Sequence, residues 1–315
     1  MSEAGSSAVA RRPCGAWGRV GFVGAGRVGG ALALAWPGLG AGAAVTLCRP
    51  RSGPLPAWAE AATSLDWVDD AATVVRHCDT VWLTVADDAL APCSAALPWR
   101  PGQRVIHTSG ATELQALAPA ARSGAVVAGF HPLRTFGPVG SPVALSPGTA
   151  VAIECGHEAT RADLHELACA WGWRPFALPP GARAAYHASA HFAGALVVAM
   201  MKEATGLWRQ WGVDEAQALQ ALLPLLDSTV KTMREAGLAR GMAGVVARGD
   251  AAVLQRHLQA LAGQPDTQAL YTLLSRRTLA LAEEAGRLNP SQRAALASVL
   301  SGSSVDTEAP PPKAL

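Results

Sequence analysis

The sequence predicts an α/β domain built on a doubly wound, parallel sheet, followed by an all-helical domain. Three observations predict it. Short apolar runs alternate with helical stretches from Arg19 to about Leu178, the pattern of strand–helix–strand units. A glycine-rich segment joins the first apolar run to the first helical one. After Leu178-Pro179-Pro180-Gly181 the strand-like runs nearly vanish, and a proline–glycine cluster of that kind punctuates a chain. The expected organisation is a disordered N-terminus over residues 1–17, an α/β domain over 18–180, a helical domain over 181–300 and a disordered, proline-rich tail over 301–315.

The candidate strands are Arg19–Val23, Ala44–Cys48, Thr80–Val85, Arg104–Thr108, Val126–Phe130 and Ala150–Glu154. All are short and apolar, as fits strands buried on both faces. The candidate helices of the second domain are Arg183–Trp211, Asp214–Ala236, Asp250–Leu261, Thr267–Ala285 and Ser291–Leu300. Their apolar residues recur at three and four, so each has a face to bury. The first is long and apolar over much of its surface. It must be covered within its own domain or by a second copy, and a homodimer is expected.

The first turn carries Gly24, Gly26 and Gly29, a G-x-G-x-x-G pattern with a strand running in and a helix running out. In that context the pattern reads as a Rossmann dinucleotide-binding loop. Gly24 permits the tight turn, Gly26 lets a pyrophosphate approach the backbone, and Gly29 lets helix and strand pack closely. The amides and dipole at the helix start, over Ala25, Arg27 and Val28, then stabilise phosphate charge. A tight turn without a ligand is the alternative.

The second strand bears on the cofactor. NAD-specific domains place an acid at its end for the ribose hydroxyls. Here it ends in Arg49-Pro50-Arg51-Ser52, with no carboxylate nearby. Arg49, Arg51 and Ser52 suit a 2′-phosphate, so NADP is favoured over NAD; two solvated loop arginines are the alternative. Ala86 and Asp87 follow the strand beginning at Thr80 and should edge the cleft beyond the strands' carboxyl ends. Asp88 reads as a helix N-cap.

Bulk composition excludes other classes. Lysine plus arginine number 26 against 24 acids, a net charge of +2, too weak a field for a nucleic-acid binder. The six cysteines form no C-x-x-C pair and read as reduced, buried thiols of a cytoplasmic protein. Arg11-Arg12 before an apolar run imitates an export signal, but Arg19 and Arg27 interrupt that run. The apolar stretch Phe192–Met201 is too short to span a bilayer. No membrane association is expected. His187 and His191 lie one helical turn apart without a third ligand, so no metal is expected either.

Several segments together resemble a known family. They are Gly24–Gly29, His107-Thr108-Ser109-Gly110, His131-Pro132-Leu133-Arg134-Thr135-Phe136, Tyr186-His187-Ala188-Ser189-Ala190 and Val246-Ala247-Arg248-Gly249-Asp250. Over residues 18–300 the chain resembles Rossmann-like bacterial proteins with a C-terminal helical domain of unknown function. These are relatives of deazaflavin-dependent NADP reductases, pyrroline-5-carboxylate reductases and the 6-phosphogluconate and β-hydroxyacid dehydrogenase group. The resemblance implies the two-domain fold and an NADP-dependent oxidoreductase. Where the family tends to have asparagine in the long helix this chain has Gly194, and where it often has lysine before the tyrosine–histidine pair this chain has Arg183.

Nicotinamide chemistry asks the protein for positioning and one proton donor or acceptor. Histidine suits that task near neutral pH. His131 is expected on a loop at a strand end, and Tyr186 and His187 open the long helix. His131 and His187 are the first candidates for acid–base work or substrate contact, followed by Tyr186, Ser109 and Lys202. A hydrogen-bonded loop anchor is the alternative for His131, and a solvated helix position for Lys202. Asp250 reads as an N-cap, while Arg248 is either part of that turn or an anion contact across a dimer interface. The expected reaction is hydride transfer to or from a small carbonyl or imine. Transfer between a deazaflavin and NADP is one alternative, and a non-enzymatic dinucleotide sensor another.

Overall fold

The computed structural model describes residues 17–36, 45–48, 57–59, 65–139 and 146–302. The chain divides into two compact units, Met1–Leu196 and Val197–Leu315.

The first unit holds one eight-stranded sheet. Its strands are β1 (Val20–Val23), β2 (Val45–Cys48), β3 (Leu65–Val68), β4 (Thr80–Leu83), β5 (Arg104–His107), β6 (Val126–Pro132), β7 (Ala150–Cys155) and β8 (Arg174–Ala177). They lie in the order β3-β2-β1-β4-β5-β6-β7-β8. From β3 to β6 every pair is parallel, β7 runs antiparallel to β6, and β8 is parallel to β7. The first six strands thus have the doubly wound order 3-2-1-4-5-6, whose order reverses between β1 and β4. Ligands bind such sheets there, beyond the carboxyl ends of the strands.

The expected all-parallel sheet is corrected at β7. A parallel return needs a crossover of a dozen or more residues, usually a helix; the described residues between β6 and β7 contain none. Two edge strands, β3 and β8, were not expected. Their sequences, Leu65-Asp66-Trp67-Val68 and Arg174-Pro175-Phe176-Ala177, mix polar residues and a proline with apolar ones. Edge strands tolerate this because one face and one side meet solvent.

Alternation along the central strands builds two different layers. Phe22, Trp82 and Phe130 join Trp36, Trp171 and Trp173 in an aromatic cluster, with Trp82 and Phe130 edge-to-face at 5.3 Å. The second cluster is aliphatic, with Val81, Leu83 and Val105 among its members and Val74, Val75, Leu90 and Leu117 packed with them. Trp17, assigned by its sequence to the disordered terminus, is buried against Trp36, and its carbonyl accepts from Thr80 Oγ1. The helices of this unit are α1 (Arg27–Ala35), α2 (Ala71–His77), α3 (Asp87–Ala96), α4 (Ala118–Arg122), α5 (Glu158–Ala170) and α6 (Arg183–Ala193). Ala86, not Asp88, is the N-cap of α3, and Asp87 and Asp88 occupy its first turn. There they still face the positive end of the helix dipole.

The expected helix Arg183–Trp211 is broken. Gly194 takes φ −114°, ψ −97° and ends α6; α7 (Ala195–Leu207) and a 3-10 turn, Trp208–Trp211, follow. By length and composition alone this stretch could cross a membrane, with a mean hydropathy of 1.2. The break, and the buried charge of Arg183 at its start, argue against a span.

The second unit is helical, with α8 (Glu215–Gly241), α9 (Ala251–Ala260), α10 (Pro265–Glu284) and α11 (Pro290–Ser301). Regular helix in α8 stops at Gly237, where φ is +75°. Asp214, Asp250 and Asn289 cap α8, α9 and α11 by accepting from the backbone amides of Gln217, Val253 and Gln292. Val246, Leu254, Leu279, Leu296, Val299 and Leu300 form its core. Ser301 closes α11 and Gly302 is its left-handed C-cap, so order continues two residues into the expected tail.

Candidate active site

The glycine loop runs from β1 into α1. Gly24 has φ +115°, and a Cβ there would lie 2.6 Å from the Thr84 carbonyl oxygen. A Cβ on Gly29 would lie 2.0 Å from the Gly24 carbonyl oxygen and 2.4 Å from Thr84 Oγ1. Both positions require glycine, one for its backbone and one for its space. Thr84, which sequence reasoning missed, holds the loop by donating from Oγ1 to the Gly24 carbonyl at 2.7 Å. Gly26 faces open space, with nothing within 4 Å of an added Cβ. It is also the N-cap of α1, and no side chain caps that end. An uncapped helix start behind an open glycine is a fit for a dinucleotide pyrophosphate. Arg49, Arg51 and Ser52 lie outside the described residues.

From this loop a cleft of about 430 Å³ extends along the carboxyl ends of the strands. Arg27 and Val28 line it from α1, residues 84–87 from the end of β4, residues 108–110 from the end of β5, His131 from β6 and His187 from α6. Ala86 and Asp87 therefore stand at the cleft edge.

His131 is not on a loop: it lies within β6, opposite Ala152 of β7. Its Nδ1 is 2.7 Å from Tyr186 Oη, and its ring is edge-on to His187 at 6.1 Å. Gly110 makes this closeness possible, since a Cβ there would stand 2.7 Å from His187 Cδ2 and 2.8 Å from His131 Nε2. Burial pushes the His131 pKa down to about 4, helped by the positive charges at His187 and Arg183 and opposed by Asp87. Burial also raises the Tyr186 phenol to about 12. Phenol and ring share one hydrogen bond: with the phenol as donor the ring hydrogen sits on Nε2, and with Nδ1–H as donor it sits on Nδ1.

Ser109 borders the same cleft, but its hydroxyl is engaged in a turn. It donates to Thr112 Oγ1 at 2.9 Å and accepts from the amides of Ala111 and Thr112. Lys202 belongs to the second unit, where its Nζ pairs with the Glu215 carboxylate.

Beneath the cleft lies a charged pair that the sequence reading did not single out. Arg183, fully buried, donates from Nε to Glu154 Oε2 and from Nη1 to the Ser109 carbonyl, both at 2.7 Å. His107 is buried beside them without a hydrogen-bond partner for either ring nitrogen. Burial, Arg183 and His131 lower its pKa to about 3. The available signal was Glu154 itself, an acid in the apolar strand Ala-Val-Ala-Ile-Glu-Cys; a buried acid needs a partner.

A doubly wound sheet with this loop and cleft defines a Rossmann-type fold. Residues 9–132 match the Rossmann-like domain family, and residues 149–278 match a domain of unknown function (DUF2520). The chain thus combines a Rossmann-like domain with a C-terminal domain of that kind. Solved structures share the fold. A Bacteroides fragilis protein provisionally described as an NADP oxidoreductase is 22% identical, with a TM-score of 0.64 over 83% of this chain and 98% of its own. Pyrroline carboxylate reductase from Plasmodium falciparum, with NADP bound, is 13% identical, with a TM-score of 0.55 over 84% and 98%. A reductive aminase from Aspergillus terreus, in complex with NADPH and ethyl-5-oxohexanoate, is 17% identical, with a TM-score of 0.55 over 86% and 94%. A search of curated proteins finds no significant match.

Proposed function

We propose that the protein is an NADP-dependent oxidoreductase that transfers hydride to or from a small carbonyl or imine. The observation that carries this reading is His131, which lines the cleft beside the glycine loop and holds Tyr186 at its Nδ1. Gly24–Gly29 would hold the pyrophosphate, and Arg49, Arg51 and Ser52 the 2′-phosphate. When bound, the reduced nicotinamide supplies the hydride.

The chain's own residues handle the proton. His131 presents Nε2–H where negative charge grows on a carbonyl oxygen, and Tyr186 stands behind it as a donor to Nδ1. On reduction Nε2 gives its proton to the substrate oxygen as Nδ1 takes the Tyr186 proton, and solvent then reprotonates the phenolate; oxidation starts from the phenolate, which takes the Nδ1 proton as Nε2 takes the hydroxyl proton. With an iminium the same neutral ring orients the substrate without adding a like charge. His187 borders the reacting space and contacts substrate. Ser109 shapes the turn beneath it, and Lys202 has no assigned part. The enzyme works as a homodimer in the cytoplasm, where cysteine thiols stay reduced.

Calorimetry with NADPH and NADH, followed by turnover against keto acids, aldehydes, cyclic imines and a deazaflavin, tests this. NADPH should bind at least about tenfold more tightly than NADH, given the charge-assisted contacts a 2′-phosphate makes with two arginines. His131→Gln and Tyr186→Phe should lower kcat/KM by about 10²-fold or more, the usual contribution of a positioned proton donor, while NADPH affinity stays put. Turnover with a deazaflavin alone would favour that acceptor. Tight NADPH binding with no turnover would favour a sensor. No binding of either nucleotide to folded protein would refute the reading.

A further inference from the structure

Arg183 has no exposed surface, yet it makes three separate attachments. Its Nε bonds to Glu154 on β7, and its Nη1 to the carbonyl of Ser109 in the turn after β5. Its backbone amide lies 3.3 Å from Glu113 Oε1, an oxygen placed to accept from it. Gly129 of β6 leaves room for the guanidinium: a Cβ there would stand 1.9 Å from Nη2. The side chain thus crosses under the sheet end and reaches β7, β6 and the turn after β5. Arg183 is also the first residue of α6, so Tyr186 and His187 follow it on the next helical turn.

We propose that the buried Arg183–Glu154 pair is a positioning device for the reacting pair: it pins the start of α6 to β7 and to the 108–110 turn, and so holds the Tyr186 hydroxyl on His131 Nδ1. This deepens the proposed function and rests on it for any catalytic consequence. The geometry alone supplies the clamp. A single flexible cation would not need a two-sided fork or a glycine opposite it; a guanidinium bonded on two edges does, because its planar donors fix direction as well as distance.

The charge acts in the same direction as the geometry. The groups facing His131 are His187 and Tyr186 from α6, Arg183 from the start of that helix, Asp87 from α3 and His107 from β5. Arg183 is a permanent cation among them, so it disfavours an imidazolium at His131. Arg183 thus fixes position and adds to the burial that keeps the ring neutral, without meeting substrate.

The test uses full-length protein labelled with ¹⁵N-histidine, with the His131 signals assigned by their loss in His131→Gln. Wild type, Arg183→Lys and the double variant Arg183→Met/Glu154→Gln are compared. The double variant removes both charges, so neither is left buried alone. At pH 6 an imidazole with pKa near 4 is about 1% protonated, whereas one near 6.5 is about three-quarters protonated. Wild-type His131 should therefore be neutral and in one tautomer, with the hydrogen on Nε2. The double variant should show mixed tautomers at pH 7, while burial, the larger cause of the low pKa, still keeps the ring mostly neutral at pH 6. Arg183→Lys keeps the charge but not the fork: it should stay unprotonated, lose the single tautomer, and lower kcat more than it raises KM.

A folded double variant whose His131 keeps the wild-type tautomer at pH 7 would overturn the proposal. So would Arg183→Lys with the wild-type tautomer and kcat, even if the double variant does not fold. These readouts need no cofactor. If NADPH fails to bind wild type while the tautomer behaves as described, the positioning inference stands and the functional reading falls.

Discussion

Two imidazoles, the half-buried His131 and the buried His107, are held below their ordinary range, to about 4 and about 3. Neutral histidines in the folded chain meet protonated ones in the unfolded chain below about pH 6.5. The unfolded state then binds more protons, so stability rises with pH across that window and is lost as pH falls toward the folded values. Each proton contributes a slope of up to about 1.4 kcal/mol per pH unit. Urea unfolding at pH 7.0, 6.0 and 5.0 should show falling stability, and His107→Gln should flatten the dependence by up to one proton. A slope unchanged in that variant would mean that His107 titrates normally. The residues involved were unequally legible. His131, His187 and Tyr186 stood out as polar groups at element ends. The pairing of Arg183 with Glu154 did not, because they lie 29 positions apart and no local pattern links them.

Among the elements, the glycine loop is the one whose geometry leaves least freedom. Gly29→Ala would drive a methyl carbon into the Gly24 carbonyl, 2.0 Å away, and backbone cannot rotate aside as a side chain can. Overpacking of this kind costs about 1–3 kcal/mol. The expected outcome is a drop of several degrees in Tm and at least about tenfold weaker NADPH binding, since the amides that would meet the pyrophosphate must move. Unaltered affinity by calorimetry would show that the pyrophosphate does not sit there. The central strands and this loop were readable in the sequence because their signals are local: apolar runs, and glycines at fixed spacing. The edge strands β3 and β8 were not. Half-exposed strands carry polar residues and proline, and only pairing with a neighbour makes them strands.

Among the described residues, α8 carries an apolar face without cover. In the second unit α8 exposes Leu219, Leu223, Val230 and Met233, spaced so that they share one helical face. Contiguous apolar surface on a helix marks an interaction site more often than a free face. Sedimentation equilibrium at micromolar concentration should give a dimer, and Leu223→Asp with Val230→Asp should give a folded monomer. A monomeric wild type under those conditions would remove the homodimer from the reading.

Local information was enough for the order of apolar runs, the glycine loop, the helical character of the second half and its Asp250 cap. Each depends on residues a few positions apart, where periodicity and capping chemistry act. Only the tertiary structure decided the reversal of β7, the break at Gly194, the seating of His131 inside a strand, and the meeting of Arg183, Glu154 and the Ser109 carbonyl. Those features depend on which distant segments share a buried space. There a charge must find its partner or cost several kcal/mol, and sequence spacing does not say where that partner will be.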